Sequence, residues 1–109
     1  MRRAWLIAAA GLLAGAAPAG AEQFQSGPTR TALIELYTSE GCSSCPPAEA
    51  WFSSLLTAPG LWHTVVPVAF HVTYWDNGGW RDRWASPAFT RRQYAYAAAW
   101  NEPQVYTPC

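Results

Sequence analysis

Two cysteines with two residues between them, placed between a strand-forming run and a helix-forming run, constrain this chain more than any other feature. They stand in Thr38-Ser39-Glu40-Gly41-Cys42-Ser43-Ser44-Cys45-Pro46-Pro47. An apolar, β-prone run from Ala32 to Tyr37 leads in. Behind them Ala48, Trp51, Phe52, Leu55 and Leu56 recur at helical spacing until Ala58-Pro59-Gly60 stops the pattern. A helix N-terminus presents unpaired N–H groups and the positive end of the helix dipole, so it favours an anion. A thiol just ahead of one ionises more readily than a free thiol, with a pKa of roughly 3.5–7 in comparable sites against about 8.5 unperturbed. Cys42 is therefore the expected nucleophile and Cys45 its resolving partner. Proline has no N–H, so Pro46 and Pro47 fit only the opening turn, which puts the cap at Ser44 or Cys45.

The first residues predict export. Arg2 and Arg3 precede an apolar run from Ala4 to Ala17, and Pro18-Ala19-Gly20-Ala21 supplies an A-x-A cleavage signal. Residues 1–21 read as a signal peptide cut after Ala21. The apolar run is shorter than the roughly 20 residues of a membrane span, so an uncleaved signal segment is the one membrane attachment expected. The mature chain would keep five arginines and seven acidic residues, a net charge of −2. Those arginines form no basic stripe, which argues against a nucleic-acid partner. A periplasmic or secreted address also favours a disulfide as the resting state of Cys42 and Cys45.

Along the mature chain, residues 22–30 read as a flexible leader. Thr31 to Tyr37 is a strand candidate buried on both faces, with Glu35 as the exception. Val65 to Val72 is a second, where Pro67 points to an edge position. Strand, helix and strand imply parallel pairing, and in open parallel sheets binding sites lie beyond the carboxyl ends of the strands. Cys42, His71 and Asp76 are thus expected at one sheet edge. Trp51 belongs to the apolar stripe and is assigned to the core, while His63 falls in a solvated loop. Tyr74 to Trp80 is an aromatic loop with an Asn77-Gly78 turn. Ser86-Pro87 caps a second helix whose Phe89, Tyr96 and Trp100 share one face, with Arg91 and Arg92 outward. Asn101-Glu102-Pro103 ends it, and Gln104 to Thr107 reads as the start of a third strand.

Taken together, Glu35-Leu-Tyr-Thr-Ser-Glu-Gly-Cys-Ser-Ser-Cys-Pro-Pro-Ala-Glu49, Ala69-Phe-His-Val-Thr-Tyr-Trp-Asp76, Gly79-Trp80, Ala85-Ser-Pro-Ala-Phe-Thr-Arg-Arg-Gln93 and Val105-Tyr-Thr-Pro108 closely resemble the DUF1223 family. These are exported bacterial proteins of largely uncharacterised function related to the thioredoxin-like superfamily. The resemblance implies an α/β fold of thioredoxin-like type over residues 31–109. It also implies a chain that continues past Tyr106-Thr107-Pro108, so this one is expected to be the N-terminal portion of such a domain: βαβ, a further helix and the start of a third strand. It further implies that Pro108 is a cis-proline beside the cysteine pair, with the Thr107 backbone binding extended substrate chains. The plainer reading of Pro108 is a turn proline.

Other residues have two readings each. His71 and Asp76 are candidates for carrying protons to and from Cys45, against a histidine bonded at a strand end and an aspartate in an Asx-turn. Trp75, Trp80 and Trp84 form either a lid over the thiols or the packing of an insertion against the sheet. Cys42, Cys45, His71 and Cys109 are conceivable soft ligands for copper or zinc, but there is no second C-x-x-C and no paired histidine spacing. Cys109, left over in an exported chain, suggests an intermolecular disulfide, a reactive thiol or an incomplete chain. The function expected is thiol–disulfide exchange with protein or small-molecule thiols and disulfides, needing no dissociable cofactor. The rival is a non-enzymatic periplasmic protein with a structural disulfide or a metal-holding thiol pair.

Overall fold

The computed structural model describes residues 20–108. All but the last two residues of the expected signal peptide, and Cys109, lie outside the described residues. Residues 22–30 run exposed, with no regular secondary structure.

Strand β1 (Ala32–Thr38) pairs in parallel with β2 (Val65–His71), in a register that sets Ala32 opposite Val65 and Thr38 opposite His71. Helix α1 (Pro46–Ser54) makes the crossover and is prolonged by a 3-10 turn over Leu55–Thr57. Helix α2 (Pro87–Ala99) follows. Side chains alternate along a strand, so neighbouring residues serve opposite faces. Tyr37 stacks on Phe70 at 5.4 Å between centroids, and Phe70 meets Phe89 of α2 edge-on at 5.2 Å. Glu35, on the same face as Tyr37, pairs with Arg92 of α2. Thr38, on the other face, donates its hydroxyl to Glu49 Oε1 of α1 at 2.6 Å. The two helices therefore lie on opposite faces of a two-stranded sheet, and the chain folds as a small α/β unit.

The ends of α2 follow from local chemistry. The Ser86 hydroxyl accepts the Ala88 N–H at 3.3 Å, and Pro87 takes the first helical position. At the other end Asn101 turns left-handed (φ 56°), so that its N–H reaches the Ala98 carbonyl and the Glu102 N–H the Ala97 carbonyl. That is a Schellman closure made with asparagine in place of glycine.

Three expectations are corrected. Trp51 is not a core residue: it is 57% exposed, because a sheet of two strands is too narrow to cover the whole apolar stripe of α1. Arg92 is exposed, as expected of an outward position, but it does not extend freely into solvent. It reaches back over the Phe70 ring, 5.1 Å from its centroid, to the Glu35 carboxylate. That carboxylate also accepts the Tyr37 hydroxyl, and burial followed by this bond pushes the phenol up to about 12.

The other two corrections concern the end of the chain. Gln104–Pro108 forms no strand, so the described residues contain two strands and not the start of a third. Its carbonyls are taken by side chains instead of a ladder: Gln93 Nε2 donates to Tyr106 at 2.8 Å and the Ser44 hydroxyl to Pro108 at 3.0 Å. Finally, the Thr107–Pro108 bond is trans, since no cis peptide occurs among the described residues. A cis X-Pro bond is a minority state that surrounding packing must impose, and an irregular segment held by side chains does not impose it.

Candidate functional site

Both strands end at the same edge, where Thr38 is the register partner of His71. From Thr38 the chain turns through Ser39, whose carbonyl accepts the Cys42 N–H at 3.1 Å and whose hydroxyl accepts the Gly41 N–H at 3.1 Å. Cys42 and Cys45 are joined by a disulfide, and Cys45 is the N-cap residue of α1. The cap falls at the second of the two positions the prolines allow. Both cysteines are buried, Cys42 4% exposed and Cys45 0%.

The opening turn of α1 is unusual in its donors. Helix N-termini attract anions through the N–H groups that have no partner one turn back. Here the first two helical residues are Pro46 and Pro47, so Ala48 is the one residue among the first three that carries an N–H. The macrodipole remains, but much of the hydrogen-bonding power at the helix mouth has been removed by sequence.

Other donors reach the sulfur. Thr107 Oγ1 lies 3.2 Å from Cys42 Sγ, and Trp75 Nε1 lies 3.0 Å from the same oxygen. A disulfide sulfur has no hydrogen and an indole nitrogen only donates, so the direction is fixed. Trp75 donates to Thr107, and Thr107 donates to Cys42. Ser44 Oγ is 3.5 Å from Cys42 Sγ, but its hydrogen goes to the Pro108 carbonyl. Cys45 Sγ stands 3.9 Å from that carbonyl, where a reduced thiol has an acceptor facing it.

The loop after β2 is locked to the cysteine turn. A Cβ on Gly41 would stand 3.2 Å from the Trp75 carbonyl oxygen and 3.3 Å from its Cβ, so glycine permits this approach. Asp82 is the second lock. It is 3% exposed; its Oδ2 accepts the Glu40 N–H at 2.9 Å and faces His71 Nδ1 at 2.5 Å, while Oδ1 accepts the Trp84 N–H at 2.8 Å. Burial pushes its carboxyl up, but the Glu40 N–H, the His71 ring and the Trp84 N–H outweigh that and hold it below the usual aspartate value.

The candidate residues thus sort by position. Cys42, Cys45, Thr107, Pro108 and Trp75 come together. His71 turns Nδ1 to Asp82, and Asp76 accepts the Asp82 N–H at 3.1 Å, closing the loop on itself. Trp80 donates to Glu40 Oε2 at 3.2 Å and is 62% exposed; Trp84 is exposed beside Arg83. An open cleft of about 630 Å³ lies next to the site, lined by Thr38, Glu40, Glu49, His71 and Trp84 among others. Asp82 is the residue sequence reasoning missed. Its signal was available in Arg81-Asp82-Arg83, a single carboxylate between two arginines, but nothing in that pattern marks it as buried. Among the described residues no group of three histidine, cysteine, aspartate or glutamate side chains is placed to hold a metal ion.

A small α/β unit with a C-x-x-C disulfide at the mouth of its first helix is the class that fold and site define. The chain belongs to the DUF1223 family, "protein of unknown function", whose model matches residues 33–109. It is similar to a protein of Agrobacterium tumefaciens solved by X-ray crystallography as a structural-genomics target. The two share 40% identity at a TM-score of 0.64, over 75% of this chain and 36% of that one. The chain therefore spans about a third of the solved protein's length. No curated protein matches it.

Proposed function

We propose that the chain is an exported, thioredoxin-like thiol–disulfide exchange protein that works through Cys42 and Cys45 in the periplasm or outside the cell. The observation that carries this reading is the placement of the disulfide, between the carboxyl end of β1 and the N-terminus of α1, with the Thr107 hydroxyl on Cys42 Sγ. In the reducing direction the Cys42 thiolate attacks one sulfur of a substrate disulfide. A Cys42 mixed disulfide forms and the other substrate sulfur leaves as a thiolate. Cys45, after losing its proton, then attacks Cys42 Sγ and expels the second substrate thiolate. Two electrons pass from the cysteine pair to the substrate, and the protons released balance those taken up by the two product thiolates. Oxidation of a substrate dithiol is the same sequence reversed. The partners are protein or small-molecule thiols and disulfides, and no dissociable cofactor takes part.

The burial of both sulfurs supports one other reading, a structural disulfide. Alkylation of the reduced chain as a function of pH separates the two. A reactive Cys42 titrates with an apparent pKa in the range of roughly 3.5–7.5, whereas a value near 8.5 or above supports the structural reading.

A further inference from the structure

We propose that Trp75 is a positioning residue for Cys42, acting through Thr107 so that a loop on the far strand sets the charge state of the attacking sulfur. The inference rests on the redox reading above and deepens it.

Three observations lead there. Pro46 and Pro47 strip two N–H groups from the helix mouth, so the anion-stabilising donors that a helix start ordinarily supplies are depleted where the thiolate forms. Of the hydroxyls near the sulfur, Ser44 donates to the Pro108 carbonyl, while Thr107 lies 3.2 Å from Cys42 Sγ, a contact in which a disulfide sulfur can only accept. The Thr107 oxygen in turn receives the Trp75 indole N–H at 3.0 Å. Occupying that oxygen with a donor does two things. It turns the threonine hydrogen toward the sulfur, and it polarises the hydroxyl so that it donates more strongly. In the disulfide the last bond is weak. In the reduced protein it becomes a charge-assisted hydrogen bond to a thiolate, worth about twice a neutral one. The relay therefore favours the reduced state, lowering the pKa of Cys42 and making the pair more oxidising. Gly41 belongs to the same device: with no Cβ, it lets the Trp75 backbone approach the cysteine turn.

A double-mutant cycle tests this on the full chain, reading the Cys42 pKa by alkylation and the equilibrium with a glutathione buffer. Thr107→Val keeps the shape and removes the hydroxyl. It is expected to cut the thiolate fraction below the pKa about tenfold, the scale of a hydrogen bond to a charged group. Trp75→Phe is expected to cut it about threefold, to make the pair more reducing, and to have no further effect once Thr107 is valine. Equal effects of Trp75→Phe in both backgrounds, or none in either, overturn the relay. A second readout needs no variant: the Trp75 indole N–H resonance is expected to shift when the disulfide is reduced, and a resonance that stays in place contradicts the coupling. A wild-type Cys42 that titrates as a free thiol removes the redox reading and the relay together. A depressed wild-type value that Trp75→Phe leaves unchanged removes the relay alone.

Discussion

Cys45→Ser is expected to turn a passing mixed disulfide into a stable one, with the substrate thiol held on Cys42 and recoverable by a strong reductant. Cys42→Ser is expected to form no such adduct and to drop disulfide exchange to the uncatalysed rate. The asymmetry follows from position. Cys42 precedes the helix start and has the Thr107 hydroxyl on its sulfur, whereas Cys45 is fully buried as the cap residue with its sulfur toward the Pro108 carbonyl. Both sulfurs are buried, so the difference is one of donors: only the first has a hydroxyl placed to stabilise a thiolate once the bond opens. Mass spectrometry of each variant after incubation with a peptide disulfide reads the outcome. Adducts on both variants in equal yield would mean that the two sulfurs are interchangeable, against this assignment.

The second large effect falls on Asp82. Replacing it with alanine leaves the Glu40 and Trp84 N–H groups and the His71 ring without their acceptor. Hydrogen bonds to a charged group contribute about 1.5–3 kcal/mol each. Glu40 and Trp84 are exposed, so water replaces part of what they lose, and the two together are expected to cost about 3 kcal/mol. That is a large share of the 5–15 kcal/mol that typically holds a domain together. Asp82→Asn keeps one carbonyl oxygen and is expected to cost less. The pH dependence has a definite sign. The folded carboxyl is held below the usual aspartate value of about 3.9, so its stabilisation is complete above that pH and is lost as the pH falls through the folded value. Urea midpoints of wild type and Asp82→Asn at pH 7 and pH 3 check this. The wild type is expected to lose more of its advantage in acid, and parallel losses would contradict the role given to Asp82.

How much of this was legible beforehand depends on the range of the interaction. The cap at Ser86, the prolines in the first turn of α1 and the parallel pairing of two runs flanking a helix are local or topological facts, and the residues alone carry them. The meeting of Cys42 with the loop after β2 followed from parallel topology. Its particular contacts did not. Asp82 sits 11 residues beyond His71 and 42 beyond Glu40, and no periodicity ties those positions together. Asp76 was the nearer carboxylate by sequence, yet it closes its own loop while Asp82 takes the histidine. Arg92 illustrates the same limit: its exposed place on the helix was legible, but its pairing with Glu35, 57 residues away in sequence, across the Phe70 ring was not. The apolar stripe of α1 was read correctly as helical, but whether Trp51 is covered depends on the number of strands beneath it, which the stripe does not encode.

The central claim is that the Cys42–Cys45 bond is made to open and close, and its equilibrium with glutathione tests that most directly. Working pairs of this kind lie between about −270 and −120 mV, while structural disulfides in exported proteins fall below about −300 mV. The account predicts a reversible two-electron midpoint inside the first range. A midpoint below about −300 mV, or a bond that glutathione does not open at all, would contradict it.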